Sequence, residues 1–226
     1  VYLIDYGTKD KPFIKQNNPK TITEDSSVEY NNLESHLNVF QITIMETIQI
    51  HLTHPYLIIN NNYLFDIATF IPISFLYEII FDFFHYWVHR IFHTNQYLYQ
   101  HIHKKHHKNY HLTTIMTFYQ NPLDFILAVL FPEVLSFVIL QSIFFKFSLF
   151  QYILILNYKL FSEITGHCSK HTNSCGFVQC IWLPKTFNIE IVTEDHDLHH
   201  TLPMCNYSKR FTIWDKLFNT YAKHEK

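Results

Sequence analysis

The chain of 226 residues has only 16% charged side chains, beside 48% hydrophobic residues, 22 Phe, 15 Tyr and 17 His; an ordinary soluble domain is roughly a quarter charged. This composition excludes a disordered chain, which needs low hydrophobicity and high charge. A formal net charge of -2 argues against a nucleic-acid module with its basic surplus, and the length allows one domain with at most a small appendage.

Residues 1–36 are polar, rich in Asn, Lys, Thr and Ser, and lack the charged-then-apolar order of a signal peptide. They are expected to form a flexible N-terminal segment. Val1 stands where an initiator Met would be, so the expectation is a piece of a longer chain, with an upstream hydrophobic segment lost. Residues 37–222 are expected to be one membrane-embedded domain and 223–226 a tail. Within it, the stretch 37–59 is apolar with interruptions at Glu46, His51 and His54 and suits an interfacial helix or a poor span. Tyr63 to Phe84 is long enough to cross a bilayer at roughly 20 residues, although it carries Asp66, Glu78, Asp82 and Pro72. Leu123–Phe145 and Phe147–Phe161 meet at Lys146 and read as a hairpin that enters a membrane and returns. A soluble helical protein is the alternative, but these runs leave few polar positions for an outer helical face.

The three glycines, Gly7, Gly166 and Gly176, cannot build a G-x-G-x-x-G cradle or a P-loop. Any reductant must therefore come from another chain. Cys168, Cys175, Cys180 and Cys205 form no C-x-x-C and are expected to be free thiols.

Histidine spacing carries the chemistry. His85, His89 and His93 follow i, i+4, i+8, which stacks them on one helical face. His103, His106 and His107 are i, i+3, i+4; His196, His199 and His200 repeat that pattern; His167 and His171 are i, i+4. Imidazoles one turn apart can share a metal ion. Two H-x-x-H-H triplets and two H-x-x-x-H pairs collect ten candidate ligands: His89, His93, His103, His106, His107, His167, His171, His196, His199 and His200. Ten exceed the roughly four to six positions of one ion and suit two. Imidazole accepts Zn, Fe, Cu and Ni alike. The blocks contain no Glu-x-x-His of the soluble di-iron bundles, and the chain has no H-E-x-x-H of zinc proteases.

The flanks of these histidines resemble the fatty acid hydroxylase/sterol desaturase superfamily. The residues are Asp82, then Tyr86-Trp87-Val88-His89-Arg90 with His93, then His103-Lys104-Lys105-His106-His107, then His196-Asp197-Leu198-His199-His200, Asn206-Tyr207, and Trp214-Asp215 with Phe218. The likeness covers roughly residues 63–222. Its departures are Ser208 and Asn219, where the family pattern has Gly. The His-Asp-x-His-His ending looks closest to methylsterol oxidases and sterol desaturases.

The resemblance implies an all-α integral membrane protein of helical hairpins, with a cytosolic-facing histidine-rich helical cap that holds a dimetal site. It implies an O2-dependent, dimetal oxidoreductase, with iron as working metal and zinc possible in purified samples. The enzyme would hydroxylate or desaturate a lipid in the endoplasmic reticulum, with electrons from cytochrome b5 or its reductase. A sterol or sterol precursor is the expected substrate. The alternatives are a fatty acid or sphingolipid hydroxylase, a catalytically silent metal-binding membrane protein, and a soluble zinc-dependent hydrolase. Asp82, Glu194, Asp195, Asp197 and Asp215 are candidate acceptors for imidazole N–H groups. Tyr86, Trp87, Tyr97 and Tyr99 are expected to pack or to line a membrane interface.

Overall fold

The computed structural model describes residues 9–11, 14, 33–59, 62–108, 113–171 and 176–223. The polar segment expected over 1–36 thus lies largely outside the described residues, as do His111, Cys175 and all of the tail but Lys223. The described residues are helical, joined by short turns and two isolated backbone bridges.

Four long helices, α1 (Leu33–Thr53), α2 (Tyr63–Thr94), α3 (Pro122–Ile143) and α4 (Leu149–Gly166), run side by side. Their directions follow from paired contacts. Tyr77 donates to the carbonyl of Glu133 at 3.1 Å and His85 meets that of Ala128 at 2.6 Å, so α2 and α3 are antiparallel. Ser148 reaches Asp66 and Gln151 reaches Thr69, so α4 runs with α2. Gln49 contacts Tyr152 and Glu46 contacts Lys159, so α1 opposes α4. The helices therefore alternate in direction. One end of the bundle gathers the loops 54–62 and 144–148, tied where the Ile58 N–H donates to Phe147 and the Leu149 N–H to Ile58. The histidines gather at the other.

Local sequence explains the helix ends. Asn62 caps α2 by accepting the Phe65 N–H, and Asn121 caps α3 by accepting that of Leu123, with Pro122 just inside where its missing N–H costs nothing. Ser148 caps α4. The apolar core joins Phe70, Tyr77 and Phe81 of α2 to Phe137 and Leu140 of α3 and to Phe147, Tyr152 and Ile155.

By length and composition, α2 and α3 are the two described helices fit to cross a membrane. At 32 residues, α2 is about 48 Å long at 1.5 Å per residue, more than a hydrocarbon layer of roughly 30 Å needs. Its last turns extend beyond the expected limit at Phe84 and carry His85, His89 and His93 into the cap. The third expected run forms α4, but Gln151, Asn157, Lys159 and Glu163 dilute its apolar character. Helix α1 has a largely polar inner face. Ser35, Asn38, Gln49 and Thr53 are buried with Ile42, whereas Leu33, Leu37, Phe40, Ile44, Ile48 and Leu52 are exposed at helical spacing. Thr43 and Thr47 on its outer side return their hydroxyls to the carbonyls of Val39 and Thr43.

Buried charges lock the cap to the bundle. Lys159 pairs with Glu133 and Glu46. Arg210, 1% exposed, donates to Glu78 at 2.8 Å and to Glu163 at 2.5 Å, and Lys209 also pairs with Glu163. Asp82 accepts the N–H groups of Lys209, Arg210 and Phe211, which docks this turn on α2. Gly176 is required beneath it, since a Cβ there would lie 2.0 Å from the Arg210 carbonyl oxygen. The short helix α5 (Trp182–Thr186) packs through Leu183 on the Phe177 and Phe211 cluster beside α2, and α6 (Thr193–Thr201) and α7 (Ile213–Leu217) complete the cap.

Candidate metal centre

Nine imidazoles converge at the cap end of the bundle, in two sets. His89 and His93 from α2, His103, His107 and His199 form one; His106, His167, His196 and His200 form the other. Within each set, one nitrogen per ring lies within 4.8 Å of all the others, and every ring is buried or nearly so. Each H-x-x-H-H triplet serves both sets. On α6, His196 and His200 are one turn apart and face the smaller set, while His199 turns to the larger. In the second box, His103 closes a π-helical turn (Tyr99–His103) and joins His107 in the larger set, and His106 goes to the smaller. The sets touch: the His107 and His200 ring centroids are 4.5 Å apart.

Ring orientation tests whether these residues fit a metal. The Nδ1 atoms of His89, His167 and His199 face the carbonyls of Tyr207, Glu163 and Cys205 at 2.8, 2.8 and 2.6 Å. A carbonyl only accepts, so each Nδ1 carries the hydrogen and each Nε2 presents a bare lone pair. His103 does the same against the Asp124 carboxylate at 2.8 Å. The Nε2 atoms of His89 and His103 then stand 3.1 Å apart, lone pair to lone pair. The Nε2 of His199 is buried without a hydrogen-bond partner. A shared cation makes that arrangement favourable, and the residues fit one.

Electrostatics agrees. Burial, reinforced by neighbouring imidazoles, pushes His106, His107, His196 and His200 well below the ordinary histidine value. Burial lowers His199 to about 3. His167 falls to about 4 through burial and the Lys209 charge. These six rings are thus neutral at pH 7, the state a metal ligand requires.

Comparisons with known proteins bear on this geometry. Residues 74–220 match the fatty acid hydroxylase family. The chain belongs to the fatty acid hydroxylase family. A relative named "Fatty acid hydroxylase vlmA", from Lecanicillium sp, is 31% identical over 150 residues, which is 65% of this chain and 41% of that protein. The chain thus aligns with less than half the length of this relative. No solved structure matches it.

Within this hydroxylase-family frame, the tenth expected ligand stands apart. His171 lies outside both sets, with its exposed ring 2.5 Å from Glu194. The i, i+4 spacing from His167 holds only along a helix, and α4 ends at Gly166. His85 is buried beside His89, with its Nδ1 on the Ala128 carbonyl within a π-helical turn of α3.

Of the five carboxylates expected behind the imidazoles, Glu194 meets one, His171, and the other four hold other groups. Asp82 fixes the 209–211 turn, and Asp215 accepts the Tyr207 and Ser208 N–H groups at 2.8 Å each. Asp195 accepts from Val192 N–H, and Asp197 from the Ser169 hydroxyl. Asp124, near the start of the apolar run 123–145, is the carboxylate that holds His103. Its signal was the Asn121-Pro122 helix start, which puts an acid in the first turn at the cap end. Tyr86 and Trp87 pack as expected, against Phe218.

The two glycine departures are accommodated locally. Asn219 takes φ 56°, the left-handed region that Asn tolerates better than other side chains. Ser208 is bonded through its backbone N–H to Asp215.

Proposed function

We propose that the protein is an O2-dependent dimetal membrane oxidoreductase that hydroxylates or desaturates a lipid. The observation that carries this reading is the opposed bare lone pairs of His89 and His103, within nine clustered imidazoles at the end of two apolar helices. His89, His93, His103, His107 and His199 would hold one ion, and His106, His167, His196 and His200 the second. The chemistry such a pair of ions supplies, with iron the working metal and zinc a possible occupant on purification, is activation of O2 with two electrons from an external donor such as cytochrome b5 or its reductase.

The chain's own part is to orient and to enclose. Backbone carbonyls of Tyr207, Glu163 and Cys205 fix ring tautomers, and the Asp82 and Arg210 network holds the loop that supplies two of those carbonyls' neighbours. Burial of the rings keeps water from competing for the site. The outward apolar faces of α1, α2 and α3 would lie in lipid, with the histidine cap at the membrane surface, as the cost of charge in hydrocarbon requires. An endoplasmic reticulum location with the cap in the cytosol belongs to the same reading.

For the substrate, the printed name of the relative supports an acyl chain, and the His196-Asp197-Leu198-His199-His200 ending supports a sterol. Lipid mass spectrometry of a hydroxylase-deficient host, with and without this chain, tests both. An added oxygen or a lost pair of hydrogens on a fatty acyl or sphingoid chain supports the first, and a changed sterol mass the second. No change in any lipid class, from metal-loaded protein supplied with its electron donor, refutes the enzyme reading.

A further inference from the structure

We infer that the two histidine sets are unequal metal sites, and that Asp124 is the positioning residue that makes the set of five the tighter one. The inference rests on the metal-centre reading above. Asp124 is 1% exposed and its Oδ2 accepts the His103 Nδ1–H at 2.8 Å. A carboxylate behind an imidazole fixes its tautomer and raises the electron density on the nitrogen that binds the ion. The pair is built into the backbone. His103 closes one π-helical turn, and Asp124 sits in the capped first turn of α3, just before the π-helical turn 126–130.

The smaller set lacks this support. Its His167 leans on a neutral backbone carbonyl, while the Nδ1 atoms of His106 and His200 are buried without hydrogen-bond partners. In the larger set, the rings of His89, His103 and His199 are fixed through Nδ1, and the Nδ1 of His107 is buried without a partner. The cavity lined by Asp124 also holds Lys209 and touches rings of both sets, so the difference between the sets is the direct bond from Asp124 to His103 and not the charge of the surroundings.

The test is release of metal, followed by elemental mass spectrometry as a chelator is added to the metal-loaded full chain in detergent. Wild-type protein should release its ions in two steps. Asp124→Asn should weaken retention of the tighter ion about 10–100-fold, and Asp124→Glu should restore much of it. Paired backgrounds assign the effect: Asp124→Asn should act on the ion left in His167→Ala and leave the ion in His199→Ala unchanged. Release in a single step from the wild type, an unchanged curve in Asp124→Asn, or an equal effect in both backgrounds would overturn the inference. A wild-type chain that takes up no metal would instead overturn the metal-centre reading beneath it.

Discussion

Replacing Arg210 by Met tests how far the buried charge network holds the cap in place. Arg210 is fully enclosed and donates to Glu78 of α2 and to Glu163 of α4, with its own N–H on Asp82. Met keeps much of the volume and removes the charge, which strands two carboxylates in a dry interior beside Lys209. Breaking a buried pair from one side costs about 3–5 kcal/mol. At about 2–4 °C per kcal/mol for a chain of this size, the melting temperature should fall by about 6–20 °C. The loss should reach the site, because Glu163 also offers its carbonyl to His167. Melting of the purified chain in detergent, with metal content measured alongside, reads both effects. Arg210→Lys keeps the charge but loses the fork that spans two carboxylates, so it should fall between wild type and Met. A melting temperature in Arg210→Met within about 2 °C of wild type, or about 1 kcal/mol, would refute the reasoning.

Three further outcomes follow from the geometry. His167→Ala should lower bound metal by one ion per chain while His171→Ala leaves it unchanged; equal losses in elemental analysis would return His171 to the ligand set. The metal-free protein should lose stability as pH falls, because the folded rings bind fewer protons than the unfolded ones. With His167 near 4 and His199 near 3 when folded, the loss begins near an unfolded value of about 6.5 and continues towards pH 3. Melting curves of chelated protein that do not move between pH 7.5 and 5.5 would contradict this. Asn219→Gly should preserve or raise stability, whereas Asn219→Val should cost about 1–2 kcal/mol at φ 56°; thermal melting compares the two, and an equal response would remove the left-handed turn from the account.

The amino-acid sequence by itself determined the chemistry and the helices that bear it. Spacings of three and four residues put His89 with His93, His103 with His107, and His196 with His200, since these offsets are neighbours along a turn whatever surrounds it. Long apolar runs marked α2 and α3 for the same reason: helical span and side-chain hydropathy are local properties. What local pattern could not reach was the partner across space. The division of each triplet between two sets needed α6 and the 99–108 turns to face one another. His171 obeyed the spacing rule but lay past the end of α4, where the rule lapses. Helix α1 read as a poor span because its polar residues face Lys105, Tyr152 and Lys159, and hydropathy does not record which side faces inward. The groups that orient the rings were invisible for a simpler reason. Every residue has a carbonyl, and Asp124 is 21 positions from His103. Packing alone decided which of these acceptors would face an imidazole, and thereby which nitrogen was left free to bind a metal.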